Sequence, residues 1–451
     1  MENKNRSVNH VRLVLTYFSF TLALLCGNKA KVFSQSATTS PFSRYGIGLI
    51  NENGFLQNIA MGGLSAPIQT DTITPYNINP NNPASLPYIR LTTFEAALNS
   101  NATQLSAGGQ TQISTATTLN HLAFAFPLYK WWATGLSLQP LSSVGYKISN
   151  TGNQDTIGAI NNTYNGNGGL HKVTFSNGFK YKQLSFGVNA SYVFGGIVNE
   201  REVILPANGL GYYNAEAVSR VNANDVYLDY GLQYGMTIKR LHHRELRDYI
   251  RVVIGASFGF TSNINVNSTI LTRNFIYNAA SIKTYRDTVE NITAKSTITL
   301  PGKYAIGLSL RKGDKYLIGM EYARENWSSF QYLGDPGGLA NTSRFIIGGE
   351  IVPSHKTENN APYFNKVSYR FGFREATLPI RVNGGQLPET AFSFGLGFPI
   401  GFSRHMYNYN MLNVSLEAGQ RGTAATMKEN FFNFVIGISI NDKWFVRSKF
   451  D

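Results

Sequence analysis

Residues 297–330 carry the clearest alternation in the chain. Tyr304, Ile306, Leu308 and Leu310 alternate with Ala305, Gly307, Ser309 and Arg311, a period of two that places every large apolar side chain on one face of a strand. After the turn Lys312-Gly313-Asp314-Lys315, Tyr316, Ile318, Met320 and Tyr322 repeat the apolar face, opposite Gly319, Glu321, Ala323 and Glu325. Two alternating runs joined by a glycine turn predict a long hairpin. A face that is greasy and edged with aromatics, backed by one that is small or charged, suits a transmembrane barrel wall. It also suits a soluble antiparallel sheet with one wet face.

Comparable runs recur at 90–99, 118–127, 131–141, 171–182, 183–196, 224–239, 249–264, 297–311, 315–328, 343–353, 365–376, 390–402, 411–420 and 430–440, fourteen in all. The links at about 100–117, 142–170, 197–223 and 265–296 are long, while Tyr129-Lys130, Lys182-Gln183, 240–248 and Gly313-Asp314 between them are shorter. Long and short links in alternation are how an outer-membrane barrel separates outside loops from periplasmic turns. The parity weakens later, at 354–364 and 403–410. An even strand count leaves both termini in the periplasm.

Composition favours the membrane reading. Charged residues are 15% of the chain, against about 25% in soluble domains, while aromatics reach 13% and glycines number 43. No apolar run after residue 34 approaches the roughly 20 residues of a membrane helix; 391–402 is too short and too rich in glycine. Residues 1–34 read as a secretory signal: Lys4, Arg6 and Arg12 precede the apolar stretch 13–25, and Val32-Phe33-Ser34 suits a cleavage site. Leu25 stands before the single Cys26 where a lipoprotein signal has a small residue, so a lipid anchor is not expected. The mature chain then has no cysteine, which excludes disulfides and thiolate metal sites. Of the formal net charge of +14, Lys4, Arg6, Arg12, Lys29 and Lys31, less Glu2, belong to the signal. The remaining excess suits anionic lipid and lipopolysaccharide rather than nucleic acid.

Residues 35–89 do not alternate. Their Asn/Pro-rich end resists ladder pairing and predicts a compact irregular segment. The order Leu300-Pro301, a Gly-Leu-Ser strand, a Gly-Asp-Lys turn and Asn326-Trp327-Ser328 resembles the FadL/TodX family of outer-membrane transporters for fatty acids and other hydrophobic compounds. So do the Met61-Gly62-Gly63 stretch, the Asn82-Pro83-Ala84 motif, and the runs Arg344–Glu350, Tyr369–Phe373 and Phe392–Gly397. The resemblance implies that 35–89 fold into the lumen as a hatch. It also implies that a kink in the third strand makes a lateral opening, at Pro140, Leu141, Ser142 and Ser143. Pro140 cannot donate to a ladder and independently predicts a bulge there. A tail at 441–451, with Phe450 penultimate, departs from a barrel that ends on an aromatic residue; it is either the end of the last strand or a periplasmic extension.

Chemistry is sparse. Gly255-Ala256-Ser257-Phe258-Gly259 matches a nucleophile-elbow pattern, but it lies inside an alternating run where no strand-to-helix turn is expected. The histidines are scattered, and His242-His243 point to opposite sides of an extended chain. Glu321 and Glu325 are expected in the lumen, balanced by arginines such as Arg311. Asp71-Thr72-Ile73, Asp155-Thr156-Ile157 and Asp287-Thr288-Val289 are similar to a bacterial periplasmic O-glycosylation acceptor, with Thr72, Thr156 and Thr288 as the acceptors, in hatch or loop segments. No catalytic residue, metal site or cofactor is expected.

The expectation is therefore an all-β, transmembrane antiparallel barrel of fourteen strands (90–440) with an N-terminal lumenal hatch, in the outer membrane of a Gram-negative bacterium. Through the resemblance it implies passive uptake of hydrophobic small molecules such as long-chain fatty acids. The alternative is a structural subunit or shuttle of an outer-membrane protein secretion or assembly complex, with outer-membrane or periplasmic proteins as partners.

Overall fold

The computed structural model describes residue 38 and residues 40–442, except 52–53, 71–77, 108, 156, 207–211, 240–248, 279, 281, 355–360, 383, 401–409 and 424–426. The signal segment, Cys26, Thr72, Thr156, His242, His243 and 443–451 lie outside the described residues.

Nineteen strands form one continuous antiparallel sheet, of which fourteen build the wall. They are β1 (Thr92–Ala107), β2 (Gln110–Tyr129), β3 (Trp132–Gln154), β4 (Gly158–Tyr181), β5 (Leu184–Ile204), β6 (Asn214–Lys239), β7 (Tyr249–Gly259), β8 (Lys303–Lys312), β9 (Tyr316–Glu325), β10 (Thr342–Ile351), β11 (Ser368–Val382), β12 (Gly385–Ile400), β13 (Asn410–Thr423) and β14 (Met427–Asp442). β14 pairs back onto β1, from Asp442↔Thr92 to Lys428↔Ser106, which closes the barrel. Asn441 and Asp442 are thus part of the last strand.

The faces follow from alternation. On β8 and β9 the large apolar side chains point outward and are exposed, from Tyr304 through Leu310 and from Tyr316 through Tyr322. Ala305, Ser309, Glu321 and Ala323 between them are buried. Ten residues at about 3.3 Å each, tilted by about 45°, rise roughly 23 Å, which matches the apolar band of an outer-membrane barrel. β4 and β6, at 24 and 26 residues, rise far past it.

That height corrects the expected loops. The stretches 100–117, 142–170 and 197–223 are largely strand, with tight turns between β1 and β2 and between β3 and β4. Above the lipid neither face needs to be greasy, so runs such as Asn161, Asn162, Thr163, Asn165 and Asn167 on β4 pair without an apolar period to announce them. The seventh link is likewise a hairpin, Ser262–Tyr277 with Lys283–Leu300. Its first strand continues the wall on the upper half of β6, from Asn214↔Phe275 to Ala223↔Val266, while β7 passes directly to β8 lower down. Thr288 therefore sits on a strand, exposed between two register shifts, and not in a loop.

The tall side has its own core. Leu141, Val144, Tyr146, Leu170, Ile197, Val221, Tyr227 and Ile264 pack against Ile47 of the hatch and Trp327 and Phe330 of the β9–β10 connection. The hairpin is held near its tip by charge: Lys283 donates to Glu202 and Glu216, and Arg273 bridges to Glu216. Burial pushes the Glu200 carboxyl up. Burial acts on Glu216 too, but the hydrogen bonds from Lys283 and Arg273 outweigh it and hold that group below its ordinary value.

Candidate functional site: the hatch and the gap in the wall

A belt of glycines lines the wall where it meets the hatch. Gly178, Gly187, Gly231, Gly255, Gly307, Gly319, Gly348, Gly372 and Gly395 come one from each of the consecutive strands β4 to β12, all facing the hatch. The belt is in register, with Gly178↔Gly187, Gly187↔Gly231, Gly255↔Gly307, Gly319↔Gly348 and Gly348↔Gly372 directly opposed. A β-carbon would stand 2.7 Å from the Ala84 nitrogen at Gly187, 1.9 Å from the Ala66 oxygen at Gly255, 2.3 Å from the Met61 oxygen at Gly348 and 2.0 Å from the Gly62 nitrogen at Gly372. Real β-carbons do not come so close, so only glycine lets the hatch backbone lie directly on the wall.

The two hatch motifs meet this belt. Helix α1 (Leu56–Ile59) ends in Met61-Gly62-Gly63, where Gly62 and Gly63 take φ of 76° and 97°, the left-handed region that suits glycine. The Gly62 N–H donates to Ser393 Oγ at 2.8 Å. Asn82 caps a 3-10 turn over Pro83–Tyr88 by accepting from the Ala84 N–H, and its amide donates to the Ala66 carbonyl at 2.7 Å.

Wall side chains then satisfy the hatch backbone, as buried polar groups require. Glu321 accepts the Ser65 and Ala66 N–H groups at 2.8 and 2.7 Å, so the hatch backbone supplies its hydrogen bonds, while Arg344 lies across the same cavity. Gln233 donates to the Ala66 carbonyl at 2.8 Å, Ser309 to the Pro67 carbonyl at 2.8 Å and Asn189 to the Pro80 carbonyl at 2.8 Å. Glu95 accepts from the Ile78 N–H at 3.1 Å, and His121 beside it stacks on Phe55 at 3.8 Å between centroids. Ser257, from the elbow-like pattern, pairs with Ala305 and Gly231 within strands.

A charged ladder fills the far wall. Arg374 donates to Glu389 at 3.0 Å and to both oxygens of Glu417, and it also reaches the Gly62 carbonyl at 3.3 Å. Arg421 joins Glu389 to Glu429, which accepts from the hatch hydroxyl of Ser40. Arg370 donates to Glu350 at 2.7 Å and to Asn413 at 2.9 Å. These arginines lie among small and apolar neighbours in sequence, and nothing in the period-two pattern marked them as a network.

The wall is incomplete in one place. The β2–β3 ladder runs only from Tyr129↔Trp132 to Leu122↔Leu138. Beyond it, β3 pairs with β4 through a register shift between Pro140↔His171 and Ser142↔Leu170, which leaves Leu141 unmatched. Pro140 therefore lies in the middle of a long strand and not at its end. The hatch strand Leu49–Ile50 pairs with Ser143 and Ser142, and the Asn51 N–H donates to the Leu141 carbonyl at 3.0 Å. A cavity of about 100 Å³ remains between this strand and β2, lined by Asn99, Asn101, Thr118, Asn120, Gln139, Glu417 and Arg421 among others. Three further small cavities, of about 40 to 130 Å³, adjoin the hatch, and their walls include Asp229, Lys303, Glu325 and Arg344.

Among the described residues Glu200, Glu202 and Glu216 converge as metal ligands would, but the Lys283 ammonium already lies among them and Arg273 pairs with Glu216.

The fold is shared with solved barrels. The chain is similar to the P. putida toluene transporter TodX (15% identity, 87% of this chain and 99% of that chain, TM-score 0.56). It is similar to the Ralstonia pickettii toluene transporter TbuX (17%, 87% and 99%, 0.54) and to a Pseudomonas aeruginosa FadL homologue (12%, 89% and 99%, 0.51). At such identities the likeness is one of fold. No curated protein matches. The BamG family model matches residues 18–451, so FadL/TodX describes the architecture but not the family: the chain belongs to the BamG family.

Proposed function

We propose that this barrel is a hatch-sealed structural subunit or shuttle of an outer-membrane protein secretion or assembly complex in a Gram-negative bacterium. Lipid and lipopolysaccharide surround it, and other outer-membrane and periplasmic proteins are its partners. The observation that carries the reading is the seating of the hatch on the glycine belt. A conduit must let its plug part from the wall, whereas here the hatch backbone lies on the wall and its polar groups are bonded to wall side chains. The cavities left over are small and have Arg344, Arg374, Glu389 and Arg421 in their walls, and an apolar compound crossing them would strip water or partners from buried charges. Membership of the BamG family fits a barrel with outer-membrane partners.

A second reading, passive passage of hydrophobic small molecules, is favoured by the gap at Pro140, Leu141, Ser142 and Ser143 and by a fold shared with toluene transporters. Neither reading involves a catalytic step. Proteoliposomes separate them. The purified barrel is expected to pass labelled toluene and long-chain fatty acid no faster than protein-free liposomes; saturable uptake through it would favour transport.

A further inference from the structure

We propose that the free edge of β2 at residues 115–120 accepts an extended segment of a partner protein by strand addition, a proposal that rests on the complex-subunit reading. On one side β2 pairs with β1 from Gln110 to Ala125, through a register shift that leaves Asn120 unmatched. On the other side β3 leaves after Leu122, and among the described residues no other backbone group bonds the edge at 115–120. A row of extended N–H and C=O groups facing a cavity is a template for another strand.

Two other free edges show why this one is distinctive. The hairpin strand Lys283–Leu300 pairs on its outer side only at Ile298 and Thr299. It is guarded by Lys283, Arg286, Asp287, Glu290 and Lys295 and by two register shifts, the devices that blunt an edge. The β3 edge is already taken at Ser142 and Ser143 by the hatch, which shows that strand addition occurs within this gap. Residues 115–120, Thr-Ala-Thr-Thr-Leu-Asn, carry no charge, proline or glycine and are rich in β-branched side chains.

The occupant follows from the two sides of the edge. Thr115 and Thr117 are exposed outside, while Thr118 and Asn120 border the polar cavity with Asn99 and Gln139. The edge therefore fits an uncharged segment in period-two alternation, with polar side chains inward and small or β-branched ones outward.

The test is amide hydrogen exchange on the protein extracted with its partners from the native membrane in mild detergent, compared with the isolated barrel, with the partner identified by mass. Exchange at 115–120 is expected to slow by roughly tenfold or more in the complex, while 284–297 is unchanged. The doubly substituted T115K/T117K barrel should lose the partner while keeping its heat-modifiable, folded form. A retained partner with unchanged exchange at 115–120 would overturn strand addition and leave the subunit reading standing. Slow exchange already present in the isolated barrel, or a second copy as the bound chain, would also overturn it. No retained partner at all would overturn both.

Discussion

Replacing Gly255 and Gly372 together by valine is expected to open the barrel without unfolding it. Both glycines have ordinary extended backbone, so valine strains neither strand, and β-branched residues suit a sheet. What valine lacks is room, with added β-carbons 1.9 Å from the Ala66 oxygen and 2.0 Å from the Gly62 nitrogen. Overpacking of this kind costs about 1–3 kcal/mol per site. The two sites press different parts of the hatch, so the costs add to a first approximation and raise the undocked population by about 30-fold or more. In planar bilayers the G255V/G372V barrel should show a large conductance that the parent lacks, and its hatch should become sensitive to protease. Gly152, whose β-carbon would meet nothing within 4 Å, supplies the control: G152V should behave as the parent. A silent G255V/G372V barrel would mean that the seal does not depend on close seating.

The second large effect is expected at Arg374. Its guanidinium is 1% exposed and serves Glu389, Glu417 and the Gly62 carbonyl together. Arg374→Met leaves the buried Glu417 carboxylate without its counter-charge and Glu389 with Arg421 alone, which costs about 3–5 kcal/mol. Denaturant unfolding in detergent should show that loss. Restoring neutrality with R374M/E389Q/E417Q should recover most of it, because the penalty belongs to unpaired charge rather than to missing volume. Equal stability of R374M and the parent would show that the ladder is solvated.

Part of this was legible in the sequence, for a physical reason. Where lipid meets the wall, one face must be apolar, and the Tyr304–Leu310 and Tyr316–Tyr322 rows announced β8 and β9, although the expected run 297–311 began six residues before Lys303 and 315–328 ran three past Glu325. Above the lipid that demand lapses. The upper halves of β3 to β6 are rich in Asn, Gly, Thr and Ser, with only short apolar alternations such as Val144, Tyr146 and Ile148, so they read as loops. The glycine belt was present as the small side of each alternating run, but its meaning lies in register across nine strands, a property no single strand carries. The Arg374 ladder was hidden for a related reason: its members come from β11, β12, β13 and β14 and meet only when the wall curves. The hatch motifs stood out because Gly62-Gly63 and Asn82-Pro83 are turn residues wherever they occur.

A sealed barrel that works with protein partners should be found with them, and the composition of the native assembly shows whether it is. The protein should be extracted from its own outer membrane in mild detergent and resolved by size, with the co-migrating chains quantified. Most of it is expected to migrate with other outer-membrane or periplasmic proteins in fixed ratio. Migration as a lone barrel, combined with uptake of hydrophobic compounds after reconstitution, would contradict it.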